Sequence, residues 1–427
     1  LLQKKYYFWL ISLISNFPQI FFCMRKNIYI AVFALFCLNI VLNAANKSIN
    51  INDINDGSSI GYRTLSGPDK EAVQISKNSL LVRQININNS LISNNVVTGD
   101  TLILDLFENK RYTAIIDKIS TDINLTKTIR AKIINYESGV CLIHISEGNF
   151  FSSINIPELQ ELYFIKKEIG KDTYYLFQSD ISQLDILEGS PSLKTPLKLN
   201  KTNELKSKEM LSSPIEKSLG INDTANIDIM ILYTPQAASW ASTYDGGINN
   251  TISNVMSAAQ TALDNSETAI NLNLVHSEEI NYEESGSSYT DLVRLTFSEQ
   301  YDPYQMENGP IWYMEEAHTL RDQYAADMVM LLIKTSDTGG LSFLLENPDG
   351  EPQFPFSVVR VQQATNAPTT GIHEIGHNVG CHHHKEQTTQ PGPGLFSYSA
   401  GWRWQGTDSN YYADLMTYSG SYFDDGI

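Results

Sequence analysis

The chain has 427 residues, enough for two folded units, and its 42% hydrophobic and 18% charged residues are typical of a globular protein and exclude extensive disorder. Its formal net charge of −18 leaves no basic surplus to follow a phosphate backbone, which argues against a nucleic-acid partner. Four cysteines are too few for a disulfide scaffold, so the fold must depend on its hydrophobic core.

Residues 24–45 have the pattern of a secretory signal peptide. Arg25 and Lys26 form a short basic start, and Ile28–Leu42 is an apolar stretch. Asn43–Ala45 then offers the small residues of a cleavage point. The pattern predicts an exported, extracellular protein.

A membrane anchor is the alternative for this part of the chain. The apolar stretch at residues 28–42 is shorter than the roughly 20 residues that span a bilayer, and Pro18 interrupts the apolar sequence before it. We therefore expect that no stable membrane anchor is left once the signal is removed. Residues 1–23, which begin with Leu1 instead of Met, are interpreted as upstream translated sequence.

Residues 46–190 alternate short apolar runs with Asn, Asp and Gly. Period-two runs that are broken by turn residues predict a mostly β domain. The clearest runs are Leu80–Ile87, Val97–Leu106, Val140–Ile145 and Leu162–Ile169.

Residues 191–223 differ in composition from the sequence on either side. Ser, Thr, Lys, Asn and Pro dominate, and few apolar residues recur in any period. Such a composition predicts an exposed linker, the kind of segment that proteases cut. The linker separates the β-rich domain from a second domain at residues 224–427.

The second domain alternates buried strands with helices. Apolar residues recur at helical spacing between Ile248 and Leu263, and a second helix is predicted at Trp312–Ala325. Three apolar runs of strand length are Ile227–Leu232, Met328–Ile333 and Ser357–Gln362. The alternation predicts an α/β layer.

Residues 373–383 read HEIGHNVGCHH, which fits the pattern HExxHxxGxxH. His373 and His377 are four residues apart, so on a helix their imidazoles project from one face, one turn apart. Gly380 can adopt a positive φ that ends the helix, and the chain then turns back and brings His383 round as a third ligand. Three protein ligands and one open position are the arrangement of catalytic zinc, so the motif predicts one zinc ion.

Glu374 lies next to the first histidine and can reach a water on the metal without binding the metal itself. A zinc ion lowers the pKa of its water and polarises a carbonyl group. We therefore predict that Glu374 is the general base of a peptide-bond hydrolysis without a covalent enzyme intermediate. The alternative from another class is a non-catalytic, zinc-stabilised adhesion or binding module, which has no use for this carboxylate.

With this motif the sequence resembles the metzincins, and among them the reprolysin-like and peptidyl-Asp metallopeptidases. Ile227–Pro235, Leu320–Ile333 and Tyr398–Trp404 resemble the opening strand, a helix-to-strand passage and a late loop of that family. The resemblance covers residues 224–427 and implies a metzincin-type α/β catalytic domain, with a twisted mixed sheet, an active-site helix and a Met-turn. For residues 46–190 it implies a propeptide, and hence a latent precursor.

The resemblance also implies roles for two residues near the end of the chain. Met416 matches the methionine of the Met-turn, although from the residues alone it would be an ordinary core side chain. Tyr418 matches a tyrosine that in some metzincins approaches the metal or supports the oxyanion; a tyrosine that is only packed in place is the alternative.

The sequence departs from the family pattern after the third ligand. Reprolysin-type chains usually have Asp there, whereas this chain has His384. Three consecutive histidines occur, so a slip of one residue at the glycine turn would nominate His382 or His384 as the ligand in place of His383. Metzincins usually continue into a further helix, which implies more chain beyond Ile427.

Two cysteines remain after the signal, and both are expected to be free thiols. In reprolysin-like relatives a cysteine at the position of Cys381 often pairs within the catalytic domain, but residues 224–427 contain no other cysteine. Its partner, if it has one, would then lie beyond Ile427. Cys141 is interpreted as a small apolar residue of a strand; the alternative is a latency switch in which its thiolate binds the metal.

The resemblance implies a protein or peptide substrate. Extended peptides bind such clefts by adding a strand to an exposed sheet edge, and Ser357–Gln362 is the predicted edge. A likeness to peptidyl-Asp enzymes implies an acidic residue near the scissile bond, but the sequence identifies no basic pocket for it.

Overall fold

The computed structural model describes residues 47–51, 79–88, 91, 95–168, 171–184, 186–187, 191–194, 224–298, 313–407 and 409–418. The predicted signal peptide, the segment before it and most of the predicted linker lie outside these ranges. No helix within them is long and apolar enough to cross a membrane. The described residues from Ser48 onwards belong to one compact unit.

The described residues between 48 and 179 form a nine-stranded sheet in the order β1-β3-β4-β5-β6-β7-β8-β9-β2. The strands are β1 (Ser48–Asn50), β2 (Ser79–Ile85), β3 (Thr101–Phe107), β4 (Lys110–Thr121), β5 (Lys127–Ile133), β6 (Val140–Ser146), β7 (Asn149–Ile156), β8 (Glu161–Lys167) and β9 (Tyr174–Ser179). Two short 3-10 turns occupy Pro157–Leu159 and Ile181–Gln183. The four runs predicted from period-two alternation coincide with β2, β3, β6 and β8, although β3 begins only at Thr101 and Ile169 lies outside the described residues.

Tight hairpins make this sheet antiparallel from β3 to β9. Between β6 and β7, Glu147 and Gly148 both have positive φ angles, of 50° and 76°, as a two-residue type I′ turn requires. Successive residues face opposite sides, so Phe150 and Phe151 belong to two different apolar clusters. The sheet therefore buries apolar side chains on both faces in this region.

The second sheet has six strands in the order β10-β14-β15-β13-β11-β12. They are β10 (Leu193–Lys194), β11 (Ala225–Tyr233), β12 (Ile270–Glu279), β13 (Met328–Ile333), β14 (Gly340–Leu344) and β15 (Phe356–Arg360). Strands β12, β11, β13 and β15 are parallel, and β14 is antiparallel to β15. A separate hairpin joins β16 (Arg403–Gln405) to β17 (Tyr411–Ala413).

Helices cover both faces of this sheet. They are α1 (Pro235–Tyr244), α2 (Ile248–Asn265), α3 (Ser288–Thr296), α4 (Glu315–Tyr324), α5 (Val361–Asn366) and α6 (Thr370–Asn378). One apolar cluster packs alternate strand residues against α1, α2, α5 and α6, and the other packs the remaining residues against α3 and α4. The layered arrangement confirms the predicted mixed α/β fold.

Local signals explain where these elements begin. Strand β11 stops before Thr234, whose side chain accepts a hydrogen bond from the Ala237 amide, and Pro235 occupies the first helical position of α1. The helix predicted at Trp312–Ala325 is α4, but Trp312 lies outside the described residues.

The prediction that Ser357–Gln362 forms the exposed edge is wrong. Its strand, β15, lies between β13 and β14, and Val361 and Gln362 already belong to α5. On this side of the sheet the outermost strand of residues 224–427 is β14, and β10 is added to it in parallel. A short apolar run cannot show its place in a sheet, because edge and central strands of a covered sheet are both buried.

Candidate metal centre

Helix α6 carries the first two histidines of the motif. His373 and His377 lie one turn apart and are both buried. The helix ends at Asn378, and Gly380 has φ +90°, which a residue with a side chain rarely adopts. A Cβ at Gly380 would also lie 2.6 Å from Leu395 Cβ, so both the backbone angle and the packing require glycine there.

The turn at this glycine brings His383 back to the helix. The ligand atoms of His373, His377 and His383 all lie within 4.8 Å of one another. Within the described residues, no other group of three or more His, Cys, Asp or Glu side chains could hold a metal ion. The structure thus brings together the three histidines that the spacing nominated.

The neighbouring histidines point elsewhere. His382 Nδ1 lies 3.3 Å from the Pro391 carbonyl oxygen, and His384 Nδ1 accepts a hydrogen bond of 3.1 Å from the Glu386 amide. Neither belongs to the convergent group. Of the three candidates that the sequence left open, only His383 faces the other two ligands.

Main-chain carbonyls orient all three rings. The Nδ1 atoms lie 2.6 Å from Leu415 O for His373, 2.7 Å from Cys381 O for His377 and 3.0 Å from Thr389 O for His383. A carbonyl oxygen only accepts, so each Nδ1 carries the hydrogen and each Nε2 keeps its lone pair.

The three Nε2 lone pairs converge. His373 Nε2 and His377 Nε2 are 3.1 Å apart, and the buried His383 Nε2 has no hydrogen-bond partner within the described ranges. Lone pairs at this separation repel one another unless a cation lies between them. Buried, preoriented imidazoles of this kind fit a bound divalent metal ion.

Burial keeps these ligands neutral. It lowers the pKa of His373, holds that of His377 well below its usual value and lowers that of His383 to about 4. A metal ligand must present an unprotonated nitrogen. The site can therefore bind a metal at neutral pH without first losing protons.

Glu374, on α6, is enclosed between its helix and strand β14. Ser342 Oγ donates a hydrogen bond of 2.7 Å to Glu374 Oε2, and the carboxylate packs so closely over Gly340 that a Cβ there would collide with it. Burial raises the pKa of Glu374 to about 8. Sequence reasoning missed Gly340 and Ser342; the Gly-Gly pair before an alternating Leu-Ser-Phe-Leu run was the available signal of a strand with a close approach.

Met416 and Tyr418 both lie at the metal centre. Met416 packs beneath α6, where a Cβ on Gly376 would come within 2.5 Å of its Sδ. The Tyr418 ring lies 4.1 Å from the His383 ring and 5.4 Å from the His373 ring, measured between centroids. Met416 thus packs against the helix and Tyr418 against two of the histidine rings.

The two cysteines are free thiols. Cys141 is fully buried in β6, 3.8 Å from Ser152 Oγ, and burial raises the pKa of its thiol to about 12. A buried, protonated thiol inside the sheet core fits the structural interpretation and not the metal-binding switch. Cys381 is half-buried beside the metal site.

The model of metallo-peptidase family M12 matches residues 223–424. Similar proteins are the peptidyl-Asp metalloendopeptidases of Xanthomonas campestris pv. campestris, Stenotrophomonas maltophilia and Pseudomonas aeruginosa, which are 27%, 26% and 25% identical to this chain. The matches cover 46%, 45% and 45% of this chain and 41%, 42% and 32% of the respective relatives. The chain therefore spans less than half the length of each of these relatives.

A similar solved structure is metalloproteinase-II from Bacteroides fragilis, which is 12% identical, with coverage of 73% of this chain and 89% of that one and a TM-score of 0.41. A TM-score at this level does not define a shared fold. The family match instead coincides with the domain that carries the three convergent histidines. Residues 223–424 therefore match the model of metallo-peptidase family M12, and the similar proteins over this part of the chain are metalloendopeptidases.

Proposed function

We propose that this chain is a secreted zinc-dependent endopeptidase that is made as a latent precursor. The observation that carries the proposal is the convergence of three buried Nε2 atoms beside a buried carboxylate, Glu374. A binding module stabilised by metal would need the histidines but would gain nothing from burying that carboxylate, which costs free energy.

Zinc, when bound, supplies a Lewis acid that makes water a nucleophile near neutral pH. In the proposed mechanism Glu374 accepts the proton of the attacking water at a carboxylate oxygen and delivers it to the leaving amine. Ser342 holds that carboxylate by its other oxygen. Tyr418, whose ring packs at a tilt against His383, is proposed to support the ligand or the oxyanion, and Met416 to form the Met-turn beneath α6.

Latency is proposed from the position of β10. Leu193 and Lys194 pair in parallel with Phe343 and Leu344 of β14, so the chain itself covers the edge at which an extended peptide would add. The nine-stranded sheet is then the propeptide and residues 195–223 the place for its cleavage. Secretion is proposed from the signal-peptide pattern at residues 24–45.

The proposed substrates are proteins or extended peptides. Because the similar proteins are peptidyl-Asp metalloendopeptidases, we further propose that an aspartate adjoins the scissile bond. A panel of peptides that differ only in Asp, Asn or Ala at this place would test it. Equal cleavage of the three would contradict the aspartate preference but not the peptidase.

Substitution of Glu374 by glutamine tests the function. After activation of the full chain, the variant should keep one zinc per chain and lose roughly 100- to 10,000-fold in turnover of a casein or peptide substrate, because only the base is removed. The matched control is Glu386→Gln, which changes an exposed glutamate paired with Arg403. Zinc binding without any chelator-sensitive cleavage by the unsubstituted protein would instead identify a binding module.

A further inference from the structure

Two glutamine side chains hold the part of the chain that precedes the linker. Gln390 Oε1 accepts a 2.9 Å hydrogen bond from the Ser192 amide, and Gln390 Nε2 donates one of 3.1 Å to the Ser192 carbonyl. Gln363 repeats the arrangement at Leu187, with distances of 2.8 Å from the amide and 3.0 Å to the carbonyl. Each glutamine thus binds both main-chain groups of one residue.

These contacts lie along β14 and the loop that follows His383, and the region between the two is called the cleft below. On one side is β14, to which residues 193–194 are added as a strand. On the other side is the loop that follows His383, in which Thr389 accepts from His383 Nδ1 and Pro391 forms a β-bridge with His383. Gln390 therefore stands between two residues that contact the third ligand.

The backbone of Gln390 is in a strained conformation. Its φ of +47° lies in the left-handed region, which residues with a side chain rarely adopt. At the other end of the cleft, the Leu187 carbonyl lies so close to Gly339 that a Cβ there would collide with it. An unusual backbone angle thus occurs at the first clamping point, and a close approach of two segments of the chain occurs at the second.

The recognition is directed at the main chain. The Ser192 hydroxyl is buried but has no hydrogen-bond partner in the part of the chain that the structure describes. A carboxamide presents an acceptor and a donor side by side, which matches the N–H and C=O of one extended residue. Rotation of the carboxamide by half a turn exchanges the positions of its donor and its acceptor. The same side chain can therefore bind a peptide that runs in either direction.

We propose that Gln390 is a main-chain clamp of the peptide cleft: it holds Ser192 in the full chain and, after release of that segment, one residue of an extended substrate, whatever its side chain. Gln363 is the second clamp and holds Leu187. The part that concerns substrate rests on the peptidase function proposed above. The part that concerns Ser192 does not depend on activity.

Amide hydrogen exchange on the full chain tests the hold on the segment. Gln390→Ala should speed exchange of the Ser192 amide by roughly tenfold or more, because the amide loses its acceptor and the Ser192 carbonyl loses its donor. Gln363→Ala should do the same at Leu187. The control is Gln405→Ala, an exposed glutamine that bonds the Ser409 carbonyl outside the cleft. Unchanged exchange at Ser192 in Gln390→Ala would overturn the clamp.

Backbone N-methylation of a substrate tests the second role. In the zinc-loaded, activated protein, a peptide methylated at one main-chain nitrogen at a time should show one position at which KM rises roughly fivefold. That rise in KM should vanish in Gln390→Ala. Within each protein, the KM of the methylated peptide is divided by that of the unmethylated one, so any effect of the substitution on release of the Ser192 segment cancels. If every penalty persists in the variant, the substrate clamp is wrong. If the unsubstituted protein cleaves no peptide, the proposed function fails, while the exchange result still decides the clamp on Ser192.

Discussion

Replacement of Lys166 by methionine would leave a buried carboxylate without its cation. Lys166, on β8, places its Nζ 2.9 Å from Asp245 Oδ1, and the side chains are 17% and 0% exposed. Asp245 also accepts hydrogen bonds from Thr251 Oγ1, at 2.9 Å, and from Thr365 Oγ1. The pair therefore joins the nine-stranded sheet to helix α1 of the second domain.

The magnitude follows from burial. Removing one partner of a buried ion pair costs about 3–5 kcal/mol, and the two hydroxyl donors that remain on Asp245 place the expected loss near the lower end of that range. Methionine keeps most of the packing of the lysine stem but loses the ammonium group, which lies 5.0 Å from the Phe164 ring centre and contributes about 0.5–1 kcal/mol there. We expect Lys166→Met to lower the free energy of unfolding by about 3–4 kcal/mol.

Equilibrium urea unfolding, followed by tryptophan fluorescence, measures this loss. Lys171→Met, which removes an exposed lysine paired with Glu168, is the control and should change little. The double variant Lys166→Met, Asp245→Asn should recover more than half of the loss, because no charge is then buried. A loss below about 1 kcal/mol, or a double variant no more stable than the single one, would refute the reasoning.

Three further predictions follow from the described contacts. Burial lowers the pKa of His144 from 6.5 to about 4, so the unfolded chain takes up its proton first as the pH falls. The free energy of unfolding should therefore decrease by up to about 3 kcal/mol between pH 6.5 and 4, and His144→Gln should remove that decrease in urea titrations of the zinc-loaded protein. Gly340→Ala should displace the Glu374 carboxylate and reduce kcat on the order of 100-fold with zinc content unchanged; an unaltered kcat would contradict the packing described here. Cys141 should resist thiol reagents until the protein unfolds, with or without a chelator, since its pKa is about 12, and faster labelling after metal removal would show that it touches the metal site.

Local patterns in the sequence determined most elements of the fold. Continuous apolar runs predicted β11 and β13, and helical spacing predicted α2, because these periods follow from the geometry of a single strand or helix. The metal motif is equally local: His373 and His377 share one helix face, and the turn that returns His383 needs only a glycine. Such features depend on neighbours a few residues away, so the sequence alone contains them.

Tertiary structure alone decided which strand forms the edge and what surrounds the ligands. Ser342 reaches Glu374 across 32 positions of sequence, and Gln390 reaches Ser192 across 198. The runs that became β14 and β15 are both apolar and fully buried, so nothing in their composition distinguished the outer strand from the inner one. Contacts at such separations depend on how whole layers pack and in what order strands pair, which no local periodicity specifies.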